Sequence, residues 1–263
     1  MSNQTKAAGG LSDPGRIKEV LSRHGFHFSK ALGQNFLINP TVCPRMAQAC
    51  GAGDCKGVIE VGPGIGVLTW ELSQVAEKVC AIELAQLIQE EFGGGPVCVC
   101  ANLPYYITSP VILRLLEEHL PLTSITVMVQ KEAAARLCAA PGSKECGAVS
   151  VAVHYRSKPQ VLFPVGRGSF MPPPKVDSAV IRLDVLQQPP VAVEDEKWFF
   201  QVARGAFAQR RKTAANSISA TLGVPKPQVE QALLAAGVAA NIRAERLTLE
   251  QLAALAGALG TDR

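Results

Sequence analysis

The stretch Val58-Ile59-Glu60-Val61-Gly62-Pro63-Gly64-Ile65-Gly66-Val67-Leu68-Thr69-Trp70-Glu71-Leu72 reads as three pieces in a fixed order. Val58 to Val61 suits a buried strand, Gly62 to Gly66 a glycine turn, and Val67 to Leu72 has helical character. Strand, glycine loop and helix together bring backbone N–H groups and a helix N-terminus up to a ligand, the opening unit of an α/β sheet. The spacing is Gly-x-Gly-x-Gly, not the Gly-x-Gly-x-x-Gly of dinucleotide sites. Glu60, just ahead of the loop, would repel a pyrophosphate and face the cationic methionine part of S-adenosylmethionine. The loop therefore favours S-adenosylmethionine over NAD, with Glu60, Gly62, Gly64 and Gly66 against it. A glycine turn with a purely structural purpose is the plain alternative.

Moving towards the C-terminus, Lys78 to Ile82 is the next strand and ends in Glu83, an acid placed to accept the ribose hydroxyls of a nucleoside. Leu84 to Phe92 forms a short amphipathic helix, followed by a glycine turn and the apolar strand Val97-Cys98-Val99-Cys100. That strand leads into Asn102-Leu103-Pro104-Tyr105 at its carboxyl end, where open α/β sheets form their ligand crevice. Proline fixes its own φ and pushes Leu103 into an extended conformation, so that the Asn102 side-chain oxygen and the Leu103 carbonyl converge on one donor. An exocyclic amine on a nucleobase is such a donor, and Tyr105 offers the base a stacking face. Against this stands a polar strand-to-helix turn whose tyrosine faces the core.

Thr108-Ser109-Pro110 would cap a helix from Val111 to about His119. Ile125 to Val129, Ala148 to Tyr155 and Val176 to Leu183 supply further strands, with a helix through Leu137. The run Pro172-Pro173-Pro174 makes a stiff extended arm that would hold Phe170 over the second face of a base resting on Tyr105. Gln187-Gln188-Pro189-Pro190 reads as a linker, after which the chain is helical. Trp198, Phe199, Val202 and Phe207 form the core stripe of the helix Glu194 to Gln209, and Arg210-Arg211-Lys212 ends it. Three adjacent cations there suit phosphate contacts or a solvated face. Pro227 starts a helix to Ala236, and Thr248 with Gln251 makes a capping box.

A chain of 263 residues, 48% hydrophobic and 18% charged, can bury one ordinary core and a small second domain. The formal charge of +4 is too small to argue for nucleic acid by itself. The first ten residues are polar and small, and nowhere do about 18 apolar residues run together, so a cytoplasmic protein with no membrane contact is expected. Eight cysteines without a Cys-x-x-Cys pair, and four histidines not spaced with them, point away from metal ligation and from a disulfide framework.

Six motifs stand in order across nearly the whole chain: Gly33-Gln34-Asn35-Phe36-Leu37, Glu60 to Thr69, Asn102 to Tyr105, Val129-Gln130-Lys131-Glu132, Pro172-Pro173-Pro174-Lys175-Val176-Asp177-Ser178 and Arg210-Arg211-Lys212-Thr213. Together they resemble the ribosomal RNA adenine dimethyltransferases of the KsgA type. The resemblance implies an α/β fold, a Rossmann-like methyltransferase sheet with a small all-α C-terminal domain. It divides the chain into a cofactor-binding catalytic domain, 1–188, and a helical RNA-binding domain, 189–263. The implied activity moves methyl groups from S-adenosylmethionine to the exocyclic amines of two adjacent adenosines near the 3′ end of small-subunit (16S) ribosomal RNA. The enzyme would work as a monomer on the small ribosomal subunit. Gln34, Asn35, Leu37, Gly62, Glu83 and Asn102 would hold the cofactor, Asn102 and the Leu103 carbonyl would orient the amine, and Tyr105 and Phe170 would sandwich the adenine. Lys175, Arg210, Arg211 and Lys212 would meet RNA, and no metal is implied.

The chain departs from the family after Glu83. A helix, a third strand and an acid for the cofactor's adenine have no counterpart, since Glu83 is joined straight to Leu84. The sheet would then lack one edge strand. Nine helical residues at about 1.5 Å each, with a glycine turn, can still recross two strand spacings of roughly 4.8 Å. Three other readings compete: a large-subunit RNA methyltransferase of the macrolide-resistance type, a ribosome-assembly factor without catalysis, and an NAD-dependent oxidoreductase.

Overall fold

A computed structural model describes residues 13, 15, 17, 19, 36–63, 66–80, 92, 95–103, 105, 108–118 and 120–260. Gln34, Asn35, Gly64 and Glu83 lie outside the described residues. The chain divides into two compact units, one of residues 1–134 and 159–185, the other of 135–158 and 186–263.

In the first unit the strands are β1 (Phe36–Leu37), β2 (Val58–Val61), β3 (Val79–Cys80), β4 (Val97–Asn102), β5 (Leu122–Gln130), β6 (Ser157–Val165), β7 (Phe170–Met171) and β8 (Ser178–Val185). Six of them form one sheet in the order β3-β2-β4-β5-β8-β6, while β1 and β7 make a separate antiparallel pair. β3, β2, β4 and β5 run parallel, and β8 is antiparallel to β5. The interior strands β4 and β5 are apolar almost throughout, because helices cover a parallel sheet on both faces. The helices between these strands are α1 (Val42–Ala49), α2 (Val67–Ser73), α3 (Thr108–Glu117) and α4 (Lys131–Leu137), the last of which runs into the second unit after Ala134. α3 begins at Thr108 itself, which is buried, and not at Val111 as expected. Among the described residues β3 is the edge of the sheet, and β2 lies between it and β4.

The second unit contains α5 (Ala148–Arg156), α6 (Glu196–Phe207), α7 (Ala214–Leu222), α8 (Lys226–Ala235) and α9 (Leu249–Leu259). The sequence placed a strand over Ala148 to Tyr155, and the structure shows the helix α5. Alternating β-branched residues suit a strand, but Ser150 Oγ accepts from Gly147 N at 3.0 Å and donates to Arg136 O at 2.6 Å, fixing the first turn. Val151 and Tyr155, one turn apart, then enter the helical core, where Tyr155 packs on Phe199 with ring centroids 5.0 Å apart. Residues 135–158, expected within the first domain, consequently belong to the second unit. No helix among the described residues is long and apolar enough to cross a membrane.

Candidate active site

Strand register decides what meets at the carboxyl edge of the sheet. β2 and β4 are parallel neighbours, with Glu60 opposite Cys100 and Val61 opposite Ala101. The next residue on each strand is Gly62 on one side and Asn102 on the other. The glycine turn and the Asn-Leu-Pro-Tyr turn therefore leave the sheet side by side, about 4.8 Å apart at their strands. Side chains alternate along a strand, so Glu60, Cys100 and Asn102 share one face.

Glu60 is 2% exposed and its Oε2 has no hydrogen-bond partner. Burial raises its pKa above the usual carboxylate range; the neighbouring Thr69 hydroxyl opposes this, yet Thr69 Oγ1 completes no hydrogen bond either. Beside them Gly62 has φ 74° and open space where a Cβ would point, and Gly66, with φ 82°, leads into α2. A buried, ionisable oxygen with no partner at a glycine turn fits a ligand that carries positive charge, as S-adenosylmethionine does.

Around Asn102 the pieces are fixed from several directions. Asn102 is the last residue of β4 and lies opposite Met128, Leu103 is 2% exposed, and half-buried Tyr105 places its hydroxyl 2.9 Å from Ser178 Oγ. Asp177 Oδ1 accepts from Arg167 N at 2.9 Å, and its carbonyl accepts from Lys131 N at 2.9 Å. Leu37 pairs with Phe170 in the β1–β7 ladder, and Asn39 Nδ2 donates to Ser169 Oγ at 3.0 Å. Leu37, expected at the cofactor, and Phe170, expected at the base, thus meet directly. Phe170 is not carried on an extended proline arm: it lies within β7, is 4% exposed and belongs to the apolar cluster with Leu37, Val165 and Val180. Lys175 follows on an exposed turn.

The cationic residues form a second feature, wholly within the other unit. α6 ends at Phe207, so Arg210, Arg211 and Lys212 occupy the turn before α7 and not a helix end. That turn is clamped. Ser217 Oγ donates to Gly205 O at 2.6 Å and accepts from Gln209 N at 3.0 Å, while Thr213 Oγ1 caps α7 through Asn216 N at 3.3 Å. The three cations line a hollow of about 270 Å³ together with Lys144, Arg243 and one carboxylate, Glu245. Sequence reasoning missed Lys144 and Arg243, which are isolated in the chain and carry no local signal. It also passed over Ser178, although that residue closes the proline-rich motif, and Thr69 in the glycine motif.

The model for "Ribosomal RNA adenine dimethylase" matches residues 25–92 and 85–259. A ribosomal RNA small subunit methyltransferase A of Geobacillus thermodenitrificans is 44% identical over 283 aligned positions, covering 95% of this chain and 97% of that one. One from Alkaliphilus oremlandii is 41% identical over 280 positions, covering 95% and 98%. These alignments are longer than the chain's 263 residues, so the relatives carry residues absent here, and the family match itself is broken between its two pieces near residues 85–92. Among solved structures, the 23S rRNA methyltransferase ErmE superposes with TM-score 0.63 at 25% identity, covering 86% of this chain and 99% of that one. A dimethyladenosine transferase from Plasmodium falciparum gives TM-score 0.68 at 24% identity, covering 84% and 95%. By family match and by identity over nearly its full length, this chain belongs to the ribosomal RNA adenine dimethylase family.

Proposed function

We propose that the protein transfers methyl groups from S-adenosylmethionine to the exocyclic amines of two adjacent adenosines near the 3′ end of small-subunit ribosomal RNA. It acts as a monomer on the small ribosomal subunit, in the cytoplasm. The observation that carries this reading is the β2–β4 register, which sets Gly62 next to Asn102 at one sheet edge. The cofactor supplies an electrophilic methyl group on a sulfonium. Glu60 balances the positive charge of the methionine portion, and Leu37 with the residues of the glycine turn shapes its seat.

Asn102 and the Leu103 carbonyl accept the two hydrogens of the adenine amine. An aromatic amine is a poor nucleophile because its lone pair is delocalised into the ring, and two acceptors in line with its hydrogens favour the pyramidal form. Tyr105 stacks on the base, whereas Phe170, 4% exposed within its apolar cluster, presents no free face to it. No general base is needed, since an N-methylated arylammonium nitrogen is strongly acidic and would lose its proton to water. Most of the rate then comes from holding two reactants within about 3–3.5 Å in line.

Identity supports the small-subunit substrate over the large-subunit one: a small-subunit relative is 44% identical, whereas the 23S enzyme stands at 25%. The test is incubation of undermethylated small subunits with labelled cofactor, followed by mapping of the label. Two adjacent adenosines near the 3′ end are expected to carry it, and label confined to large-subunit RNA would overturn the reading. The shortened segment after Glu83 favours one competitor, an assembly factor that binds the subunit without catalysis. Titration calorimetry distinguishes them: heat on adding S-adenosylmethionine supports the enzyme, and none, with subunit binding intact, supports the factor.

A further inference from the structure

Tyr105 is attached at both ends. Its backbone follows β4, and its hydroxyl lies 2.9 Å from the Oγ of Ser178, the first residue of β8. Ser178 is 0% exposed and sits opposite Gln130 in the β5–β8 ladder, beside the bond from Lys131 N to Asp177 O. The serine end of the contact is therefore part of the rigid sheet, whereas Tyr105 stands on a turn. Tyr105 is only half-buried, so water can reach it, and satisfying its hydroxyl does not require a buried serine.

We infer that Ser178 is a positioning residue for base recognition: its hydroxyl, 2.9 Å from that of Tyr105, fixes the tyrosine ring so that its face is ready to stack on the target adenine. The inference rests on Tyr105 being the stacking ring. A ring pinned at the backbone and at its para oxygen keeps one direction, so the ordering is complete before the base arrives. The contact also ties the Asn-Leu-Pro-Tyr turn to the end of the Pro-Pro-Pro-Lys-Val-Asp-Ser motif, which gives the motif's serine a task separate from that of its prolines. The RNA is gripped chiefly through its phosphates, so a loosened ring alters turnover more than substrate affinity.

The experiment compares Tyr105→Phe, Ser178→Ala and the double variant, with Tyr105→Ala as control, by steady-state methylation of undermethylated small subunits. Each single change is expected to lower kcat about three- to tenfold, the worth of one hydrogen bond, with KM for the subunit within about twofold. The double variant should be no slower than the slower single one. An adenosine replaced by 2-aminopurine should lose part of its stacking quench with Ser178→Ala. Singles at full kcat, or penalties that multiply in the double variant, overturn the inference. If Ser178→Ala does not fold, Tyr105→Phe decides it, since that change leaves β8 intact. Full activity of Tyr105→Ala would remove the ring from the base site, and with it the reading on which this rests. An inactive Tyr105→Ala beside fully active Tyr105→Phe and Ser178→Ala overturns Ser178's role alone.

Discussion

Burial of Glu60 with Oε2 unpartnered makes ionisation costly to the free protein, which is why its pKa is raised. Between the ordinary carboxylate value, about 4.3, and the raised one, the folded state holds a proton that the unfolded state has lost. Stability therefore falls as pH rises through that window and stays lower above it. Glu60→Gln should raise the Tm of the cofactor-free protein at pH 7.5, with the gain vanishing at a pH below the ordinary value. The same change should weaken S-adenosylmethionine binding about tenfold, the effect of about 1.4 kcal/mol. A Tm gap that does not depend on pH would show that ionisation of Glu60 is not what costs stability, and cofactor affinity left intact would show that Glu60 does not face the ligand's charge. Asn102→Ala tests the neighbouring strand tip. Methylation should drop about 10²- to 10³-fold, as when a group aimed at the reacting centre is removed, with subunit affinity nearly unchanged. Full activity would take Asn102 out of the mechanism.

At the scale of elements, the edge of the sheet depends on a glycine that no motif points to. A Cβ on Gly57 would lie 2.3 Å from the Phe92 ring and 2.7 Å from the Lys78 carbonyl oxygen, which itself accepts from Val58 N at 2.9 Å. Gly57→Ala should destabilise the protein by about 1–3 kcal/mol in denaturant unfolding, and shrinking Phe92 to Leu should recover only part, because the backbone clash persists. Unchanged stability would mean that the β2–β3 edge yields. Elements whose core face has one period were legible: β4, β5, β8 and α6 lie within a few residues of where the sequence put them. α5 was not, because its pattern suits either period and Phe199, distant in sequence, settles the matter. β6 carries Pro159 and Pro164, which hide a strand; they are tolerated because β6 is the outer strand of the sheet. At the site, Asn102 and the glycine turn were legible from local sequence, since each ends a strand. The burial of Phe170 was not, because it depends on pairing with Leu37, far back in the chain.

For the whole molecule, the proposed function assigns the chemistry to one compact unit and the grip on RNA to the other, so damage to one should register in a different constant from damage to the other. Asn102 and Glu60 belong to the first unit. Arg210, Arg211, Lys212, Lys144 and Arg243 belong to the second, where a single carboxylate, Glu245, shares their hollow. A solvated face that merely keeps the protein soluble would contribute little to RNA binding. A phosphate cradle would release counterions, at about 0.7 to 0.9 per contact in the slope of log affinity against log salt. Replacing Arg210, Arg211 and Lys212 with Ala should therefore flatten that slope by about 2 to 3 and raise KM for the small subunit, while kcat at saturating subunit stays near the wild-type value. Adding Lys144→Ala and Arg243→Ala should flatten it further, by up to about 2, if all five cations grip one stretch of backbone. An unchanged slope in the triple variant would return the turn to the role of solvated surface. A fall in kcat without a change in KM would mean that the second unit acts on the chemistry itself and not on the grip.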